Sequence, residues 1–111
     1  YVETLFGRRR PTPDVHSSNF AVRQAAERAA INMPIQGTEA DLMKMAMIAV
    51  DKKLDEDCKI LLQIHDSLII ECPKHKVSSV EKLLKTTMEN VHSLPVKLDV
   101  DVSSGTNWGQ L

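Results

Sequence analysis

The sequence has few cysteines, almost no net charge and no long apolar run, and each shortage excludes a class of protein. Its two cysteines, Cys58 and Cys72, lack the CxxC spacing of a zinc site. We expect reduced thiols in a cytoplasmic protein, although a hairpin turning at residues 65 and 66 would place them nearly opposite each other. No segment approaches the roughly 20 apolar residues that a membrane span needs. The composition therefore predicts a protein without a disulfide scaffold, structural zinc or a membrane partner.

Positive charge is unevenly distributed along the chain. The formal net charge is -1, so overall charge would not attract the protein to nucleic acid. Binding, however, depends on where positive charge lies on the surface. All arginines lie between residues 8 and 28. Gly7 precedes three of them, and this run is typical either of a solvated basic loop or of a segment that contacts phosphates. The sequence also starts without a methionine or a targeting signal, so we expect a part of a longer protein.

The patterns predict an α+β fold of 111 residues in one partial domain. We expect an antiparallel sheet with a central β-hairpin, covered on one face by helices. Proline at position 34 should end or kink the first helix, because proline lacks the amide donor. We expect an extended basic segment over 1–16, followed by two helices within 17–57 that are capped near Ser17 or Ser18 and at Thr38. A hairpin should occupy 58–72. The last segment, 73–111, should contain a helix over about 76–92, a strand over 96–102 and a tail.

The first candidate site is the dipeptide His65-Asp66, which falls between two apolar runs of strand length. A carboxylate at the junction of two rigid strands is held well enough to bind a metal ion such as Mg²⁺. Phosphoryl transfer uses such carboxylates to hold a pair of divalent ions. Aspartate is also a common turn former, so on the residues alone a solvated turn is the favoured alternative.

The second candidate site is a polar stripe of residues four apart. Gln24, Arg28 and Asn32 share one helix face, and Gln36 follows at the same spacing. In the DNA minor groove every base pair presents acceptors at similar positions, so these donors could test pair geometry without reading the sequence. The alternative is the solvent-exposed face of an amphipathic helix.

Three segments together are similar to a known family. They are residues 1–10 (YVETLFGRRR), residues 26–44 (AERAAINMPIQGTEADLMK) and residues 63–66 (QIHD). They resemble, in the right order, the end of family A DNA polymerases of the bacterial DNA polymerase I type. The resemblance extends from Tyr1 to the tail with Gly105 and Trp108, and three motifs at compatible spacings make chance agreement improbable.

The resemblance implies a DNA-directed DNA polymerase. The hairpin would belong to the palm subdomain, with Asp66 as one of two aspartates that bind the catalytic Mg²⁺ ions and His65 beside the primer terminus. Arg28, Asn32 and Gln36 would contact the minor groove of the primer-template DNA, and Arg10 would lie near the template strand. The primer 3′ hydroxyl would attack the α-phosphate of a deoxynucleoside triphosphate and release pyrophosphate.

Two departures limit what this chain would do alone. The family usually has glutamate after the aspartate, whereas this sequence has Ser67. Glu71 cannot replace that glutamate, because four residues along a strand span about 13 Å. The second catalytic aspartate and the nucleotide-binding helix would lie upstream of residue 1. We therefore expect the isolated chain to be inactive, and a DNA-binding module without catalysis is the alternative function.

Overall fold

The computed structural model describes residues 1–94 and 97–111, which form two compact units, residues 1–41 and residues 42–111. The longest helix, α1 (Phe20–Lys53), continues through the boundary between these units. The described residues contain two helices and two small antiparallel sheets, so the predicted α+β class is confirmed. In these ranges no helix is long and apolar enough to cross a membrane.

The first unit begins with a short hairpin of β1 (Val2–Glu3) and β2 (Arg9–Arg10). Its turn contains Gly7 with φ +86°, a conformation that glycine adopts without steric penalty. The Thr4 N–H donates to the carbonyl oxygen of Arg8 at 2.9 Å. Part of the basic run is therefore the second strand of a hairpin.

A buried carboxylate fixes this hairpin to α1. Asp41 is 7% exposed, and it accepts hydrogen bonds from Thr4 Oγ1 at 2.9 Å and from Arg8 Nε at 2.7 Å. One turn earlier, the hydroxyl oxygen of Thr38 accepts the Leu5 N–H at 3.0 Å. A carboxylate removed from water needs such partners, because an unpaired buried charge is strongly destabilising. The hairpin supplies those partners, and the same hydrogen bonds hold the hairpin against α1.

Of the two predicted effects of Pro34, an end and a kink, the end is wrong, because α1 is continuous with Pro34 inside it. The prediction of two helices within residues 17–57 is corrected to one. A proline in a helix interior removes one backbone hydrogen bond and costs about 3 kcal/mol. Thr38 and Asp41 stabilise the helix just beyond the proline through their bonds to the hairpin, and the Thr38 hydroxyl also donates to the Pro34 carbonyl. Tertiary contacts therefore outweigh the local preference.

The start of α1 also differs from the prediction. The side-chain oxygen of Asn19 accepts hydrogen bonds from the N–H groups of Ala21 at 3.0 Å and Val22 at 3.3 Å, so Asn19 is the cap. Ser17 supports it indirectly, since its hydroxyl oxygen accepts the Asn19 N–H at 3.1 Å. The predicted caps, Ser17 or Ser18, are wrong by one or two residues.

The second unit contains the predicted hairpin and the predicted later helix. Strands β3 (Lys59–Ile64) and β4 (Ser67–Glu71) pair antiparallel, and α2 (Val77–Glu89) follows a 3₁₀ turn over Lys74–Lys76. The apolar spacing of the sequence explains which residues are buried. The buried side chains of this unit are Met43, Ala46 and Val50 from α1, Cys58 before β3, and Val80 and Thr87 from α2.

Lys76 joins the loop after α1 to the start of α2. Its Nζ lies 3.1 Å from the Asp55 carboxylate and 2.8 Å from that of Asp57. Hydrogen bonding to Lys76 lowers the pKa of Asp57, and the same bond raises the pKa of Lys76. The pairing therefore stabilises the fold fully between the ordinary carboxyl and lysine pKa values. That contribution is lost as pH falls through the lowered pKa of Asp57 or rises through the raised pKa of Lys76.

The strand predicted over residues 96–102 does not form in its described part, residues 97–102; Pro95 and Val96 lie outside the described residues. Alternation of exposed and half-buried side chains persists from 97 to 102. The Val100 N–H donates to Glu89 Oε1 at 3.1 Å, and the Val100 carbonyl accepts from Lys85 Nζ at 3.2 Å. Side chains of α2 thus bind this backbone, and within the described ranges the β3–β4 sheet has two strands.

Alanine at position 37 tests the close approach of the first hairpin to α1. Alanine favours a helix over glycine by about 1 kcal/mol, but a Cβ on Gly37 would lie 2.7 Å from Thr4 Cγ2. We expect Gly37→Ala to lower the free energy of unfolding by about 1–2 kcal/mol in urea titrations. In a Thr4→Ser background, which keeps the hydroxyl and removes Cγ2, the same change should be neutral or stabilising. Equal losses in both backgrounds would contradict this packing.

Candidate functional site

A two-residue turn places His65 and Asp66 at the tip of the β3–β4 hairpin. The last pair of the register is Ile64 with Ser67. His65 has φ +51°, and among residues 1–94 and 97–111 it is the only non-glycine residue with positive φ. Two-residue hairpin turns favour positive φ at the first central position, because that twist matches the strands. The Gln63 side-chain amide also donates to the His65 carbonyl at 2.6 Å, which holds the turn.

The turn exposes its functional groups. His65, Asp66 and Ser67 are all exposed, so the Asp66 carboxylate can reach a metal ion or a hydrogen-bond donor on another molecule. In the part of the chain that the structure describes, no group of three or more His, Cys, Asp or Glu side chains could hold a metal ion. Asp66 therefore offers one exposed carboxylate to a metal ion.

The predicted polar stripe lies on one uninterrupted helix. All four of its residues are exposed, and α1 carries Gln36 on the same helix as the other three because the helix continues past Pro34. Twelve residues of helix span about 18 Å, and each step of four residues turns about 40° around the axis. At 3.4 Å per base pair, this is about the length of five base pairs. The members of the stripe are Gln24, Arg28, Asn32 and Gln36.

The three consecutive arginines have different surroundings. Arg8 binds Asp41, as described above. Arg9 Nε lies 3.2 Å from the Glu3 carboxylate, and its guanidinium lies 4.3 Å from the centre of the Tyr1 ring. Arg10 is exposed on β2 opposite Val2, and within the described ranges it makes no ion pair. Of the three, Arg10 is the one best placed to bind an external anion.

Sequence reasoning missed the pair of Arg8 and Asp41. One signal was available, because Asp41 follows Met33 and Gly37 at intervals of four residues, and Met33 is buried. A charged residue at a buried-face position of a helix indicates a polar partner. The partner itself lies 33 positions away, and no local pattern identifies it.

The candidate residues are distributed over both units. Arg10 and the stripe lie in the first unit, residues 1–41, whereas His65, Asp66 and Ser67 lie in the second, residues 42–111. The structure brings the stripe residues together on one helix and the tip residues together on one turn. The first unit thus carries a line of donors, and the second carries an exposed carboxylate with an imidazole.

Comparisons with known proteins all lead to one family. The sequence matches the family DNA polymerase family A over residues 1–110. It is 51% identical over 109 residues to the thermostable DNA polymerase I of Thermus aquaticus and 53% identical over 109 residues to DNA polymerase I of Deinococcus radiodurans. These matches cover 97% of this chain but 13% and 11% of those proteins. The chain thus spans about an eighth of the length of the curated relatives that it matches.

A solved structure has a similar fold. It is the POL domain of Pol1 from M. smegmatis in complex with DNA primer-template and dNTP, with a TM-score of 0.82 and 45% sequence identity. The match covers 87% of this chain and 18% of that one. The similarity in fold therefore accompanies the similarity in sequence over most of this chain.

Substitutions at position 65 test the geometry of the turn. A left-handed conformation costs a non-glycine residue about 1–2 kcal/mol, and glycine removes this strain but makes the unfolded chain more flexible by a similar amount. We expect His65→Gly to change the free energy of unfolding by less than about 1 kcal/mol. His65→Val should lower it by about 2 kcal/mol, because β-branched residues are disfavoured at positive φ. A greater loss for glycine than for valine in urea titrations would refute the turn.

Proposed function

The chain belongs to DNA polymerase family A, and we propose that it forms part of a DNA-directed DNA polymerase. In that protein it would supply one metal-binding carboxylate and a set of contacts to primer-template DNA. The observation that carries the proposal is the exposed Asp66 at the tip of a two-stranded hairpin. The similar Pol1 domain was solved with DNA primer-template and dNTP, and this supports the same substrates for the longer protein that contains this chain.

Asp66 would be a ligand of Mg²⁺. Carboxylate oxygen is the ligand type that Mg²⁺ prefers, and Mg²⁺ sites usually use one or two protein carboxylates together with substrate phosphates. When bound, paired divalent ions supply charge neutralisation to both the attacking and the leaving oxygen of phosphoryl transfer. The hairpin holds the carboxylate rigidly, because Asp66 lies in the short turn that joins two hydrogen-bonded strands.

His65 and Ser67 would complete the tip. The imidazole of His65 is exposed beside Asp66 and can donate or accept a hydrogen bond at the end of the primer. Ser67 adds a hydroxyl group but no negative charge. With one carboxylate instead of two, the tip repels phosphate oxygens less, and Asp66 carries the metal-binding role on this turn.

The stripe on α1 would lie along the minor groove of the primer-template duplex. Arg28, Asn32 and Gln36 all carry N–H donors, and the minor groove presents purine N3 and pyrimidine O2 acceptors at similar positions in every base pair. Donors spaced along about 12 Å of helix could contact several successive pairs. A mispair moves its acceptors, so the stripe would favour correctly paired primer ends.

Arg10 would bind the template strand through a phosphate. A guanidinium group forms bidentate hydrogen bonds with phosphate oxygens. Arg8 and Arg9 have intramolecular partners in Asp41 and Glu3, and this supports Arg10 as the member of the run that is used for DNA. Phosphate contacts position the duplex and carry no sequence information.

The 111-residue chain alone would not polymerise. One carboxylate ligand is present at the tip, and no set of three metal-binding side chains exists within residues 1–94 and 97–111. The rest of the metal site and the nucleotide-binding residues would come from other parts of the longer protein. The absence of a second acidic group next to Asp66 favours one alternative, a DNA-binding module without catalysis.

Replacing Asp66 by asparagine in the longer protein separates these two functions. Asp66→Asn keeps the shape of the side chain and removes its charge, so we expect Mg²⁺-dependent nucleotide incorporation to fall by at least about 100-fold. Even residues that only hydrogen-bond to a metal ligand change metal affinity or activity by about 10- to 100-fold when they are mutated. Primer-template affinity should change by less than about 3-fold. Single-turnover incorporation and fluorescence anisotropy measure the two quantities.

The matched control is Glu71→Gln, which removes an exposed carboxylate at the far end of β4. It should leave incorporation within about 2-fold of the parent, because it lies about 13 Å along the strand from residue 67. Incorporation unchanged by Asp66→Asn would refute the metal role. A parent protein that binds primer-template but incorporates nothing would support the alternative module.

Base analogues test the minor-groove contacts. Asn32→Ala and Gln36→Ala should each weaken primer-template binding by roughly 5-fold, since one hydrogen bond is worth about 1 kcal/mol. A duplex with 3-deazapurines, which lack the N3 acceptor, should weaken the parent similarly. The alanine variants should lose little more on that duplex, because the contact is already gone.

Arg10→Ala is the control for these binding measurements on normal and 3-deazapurine duplexes. A phosphate contact is independent of the base edge, so this variant should weaken binding to normal and 3-deazapurine duplexes by the same factor. Fully additive losses for Asn32→Ala and 3-deazapurine substitution would refute the minor-groove role of the stripe.

A further inference from the structure

If the register of the β3–β4 hairpin is extended by one residue at its open end, the two cysteines come opposite each other. Lys59 pairs with Glu71 at the end of the antiparallel register, so Cys58 and Cys72 lie one residue beyond the paired ends of β3 and β4. Directly opposite residues of an antiparallel pair have Cα atoms about 4.5–5.5 Å apart. This lies within the range of about 4.4–6.8 Å that disulfides span. Both cysteines are free thiols in the structure.

Burial shows that the two thiols lie on the same face of the hairpin. Lys59 and Glu71 are exposed, whereas Cys58 is buried and Cys72 is half-buried. Ile60 and its partner Ile70, the pair after Lys59 and Glu71, are again half-buried. Side chains alternate between the faces of a strand, so the two cysteines share the inner face with the isoleucine pair.

We propose that Cys58 and Cys72 form a reversible cross-strand disulfide when the protein meets a small-molecule disulfide such as oxidised glutathione. The bond would close the base of the hairpin whose opposite end carries His65 and Asp66. This inference does not depend on the function proposed above, because it rests only on the register and burial of β3 and β4.

The reaction has two exchange steps. The Cys72 thiolate attacks one sulfur of oxidised glutathione, which forms a mixed disulfide and releases one glutathione thiolate. The Cys58 thiolate then attacks the Cys72 sulfur and releases the second glutathione. Two electrons pass from the protein dithiol to the glutathione disulfide, and the two thiol protons end on the two released glutathiones.

The surroundings of Cys58 favour this order. Burial raises the pKa of the Cys58 thiol, and the neighbouring Asp57 and Cys72 raise it further. The Cys58 thiol also donates to the Asp57 carboxylate at a sulfur–oxygen distance of 3.7 Å. Cys72 is more exposed, so it is the better first nucleophile, and Cys58 acts as the resolving thiol at close range.

Equilibration in glutathione redox buffers tests the proposal on the protein that contains this chain. After acid quenching, alkylation and trypsin digestion, the bond would join peptides 54–59 and 60–74, which separate when the cysteines are reduced. The quantity to compare is the ratio of the oxidised glutathione concentration to the square of the reduced glutathione concentration at which half of the protein is oxidised. We expect this ratio to be at least about 10-fold lower for the native protein than for the urea-unfolded protein, because folding holds the thiols together.

A control variant moves one thiol to the other face of the strand. In Cys58→Ser with Lys59→Cys, the two thiols are one residue closer in sequence but point to opposite faces. The native protein should therefore give only mixed glutathione disulfides, found on the single peptide 54–74 because the tryptic site at position 59 is gone. Equal oxidation of native and unfolded parent protein, or equally ready bond formation in the control, would overturn the proposal. Purely intermolecular disulfides in the native parent would overturn it as well.

Discussion

The antiparallel register of β3 and β4 determines where each chemically active group of the second unit lies. With Ile64 opposite Ser67, only His65 and Asp66 remain for the turn, and both are exposed. A shift by one residue would move every side chain of the strand to the other face. This register leaves a two-residue turn, and the positive φ of His65 and the hydrogen bond from the Gln63 side chain are features of that turn. The same pairing, extended by one residue, sets the two cysteines opposite each other at the other end.

The first unit depends on a different constraint, the buried carboxylate of Asp41. Its bonds to Thr4 and Arg8 anchor the β1–β2 hairpin on α1 just beyond Pro34. The helix therefore continues, and Gln36 lies on the same helix as Arg28. The same bonds occupy Arg8, so the basic run divides into structural residues and one exposed residue, Arg10. A fold constraint thus determines which donors of this unit remain exposed.

Local patterns predicted the elements whose formation depends on neighbouring residues. The β3–β4 hairpin follows from two apolar runs around a polar dipeptide, and α2 follows from apolar residues at helical spacing. The family, the α+β class and the location of the hairpin tip were all available from sequence. The positions proposed for metal and DNA contacts remain predictions.

Two of the wrong predictions, the end of the helix at Pro34 and the strand over residues 96–102, share one physical cause, which is contact between residues distant in the chain. Proline 34 breaks a helix by local preference, but bonds to residues more than 30 positions away keep it intact. Residues 97–102 have the alternation of a strand, but the backbone of Val100 binds side chains of α2. Asn19 caps α1 instead of the neighbouring serines, because several residues there could accept the same N–H groups. Composition and periodicity do not encode these choices.

The central claim is that the carboxylate of Asp66 binds a catalytic divalent ion. Crystals of the longer protein with primer-template DNA, an incoming nucleotide and Mn²⁺ would test it most directly, because Mn²⁺ is located by its anomalous scattering. We predict an anomalous peak about 2.1 Å from an oxygen of Asp66. Metal ions bound at the nucleotide phosphates with Asp66 uncoordinated would contradict the claim.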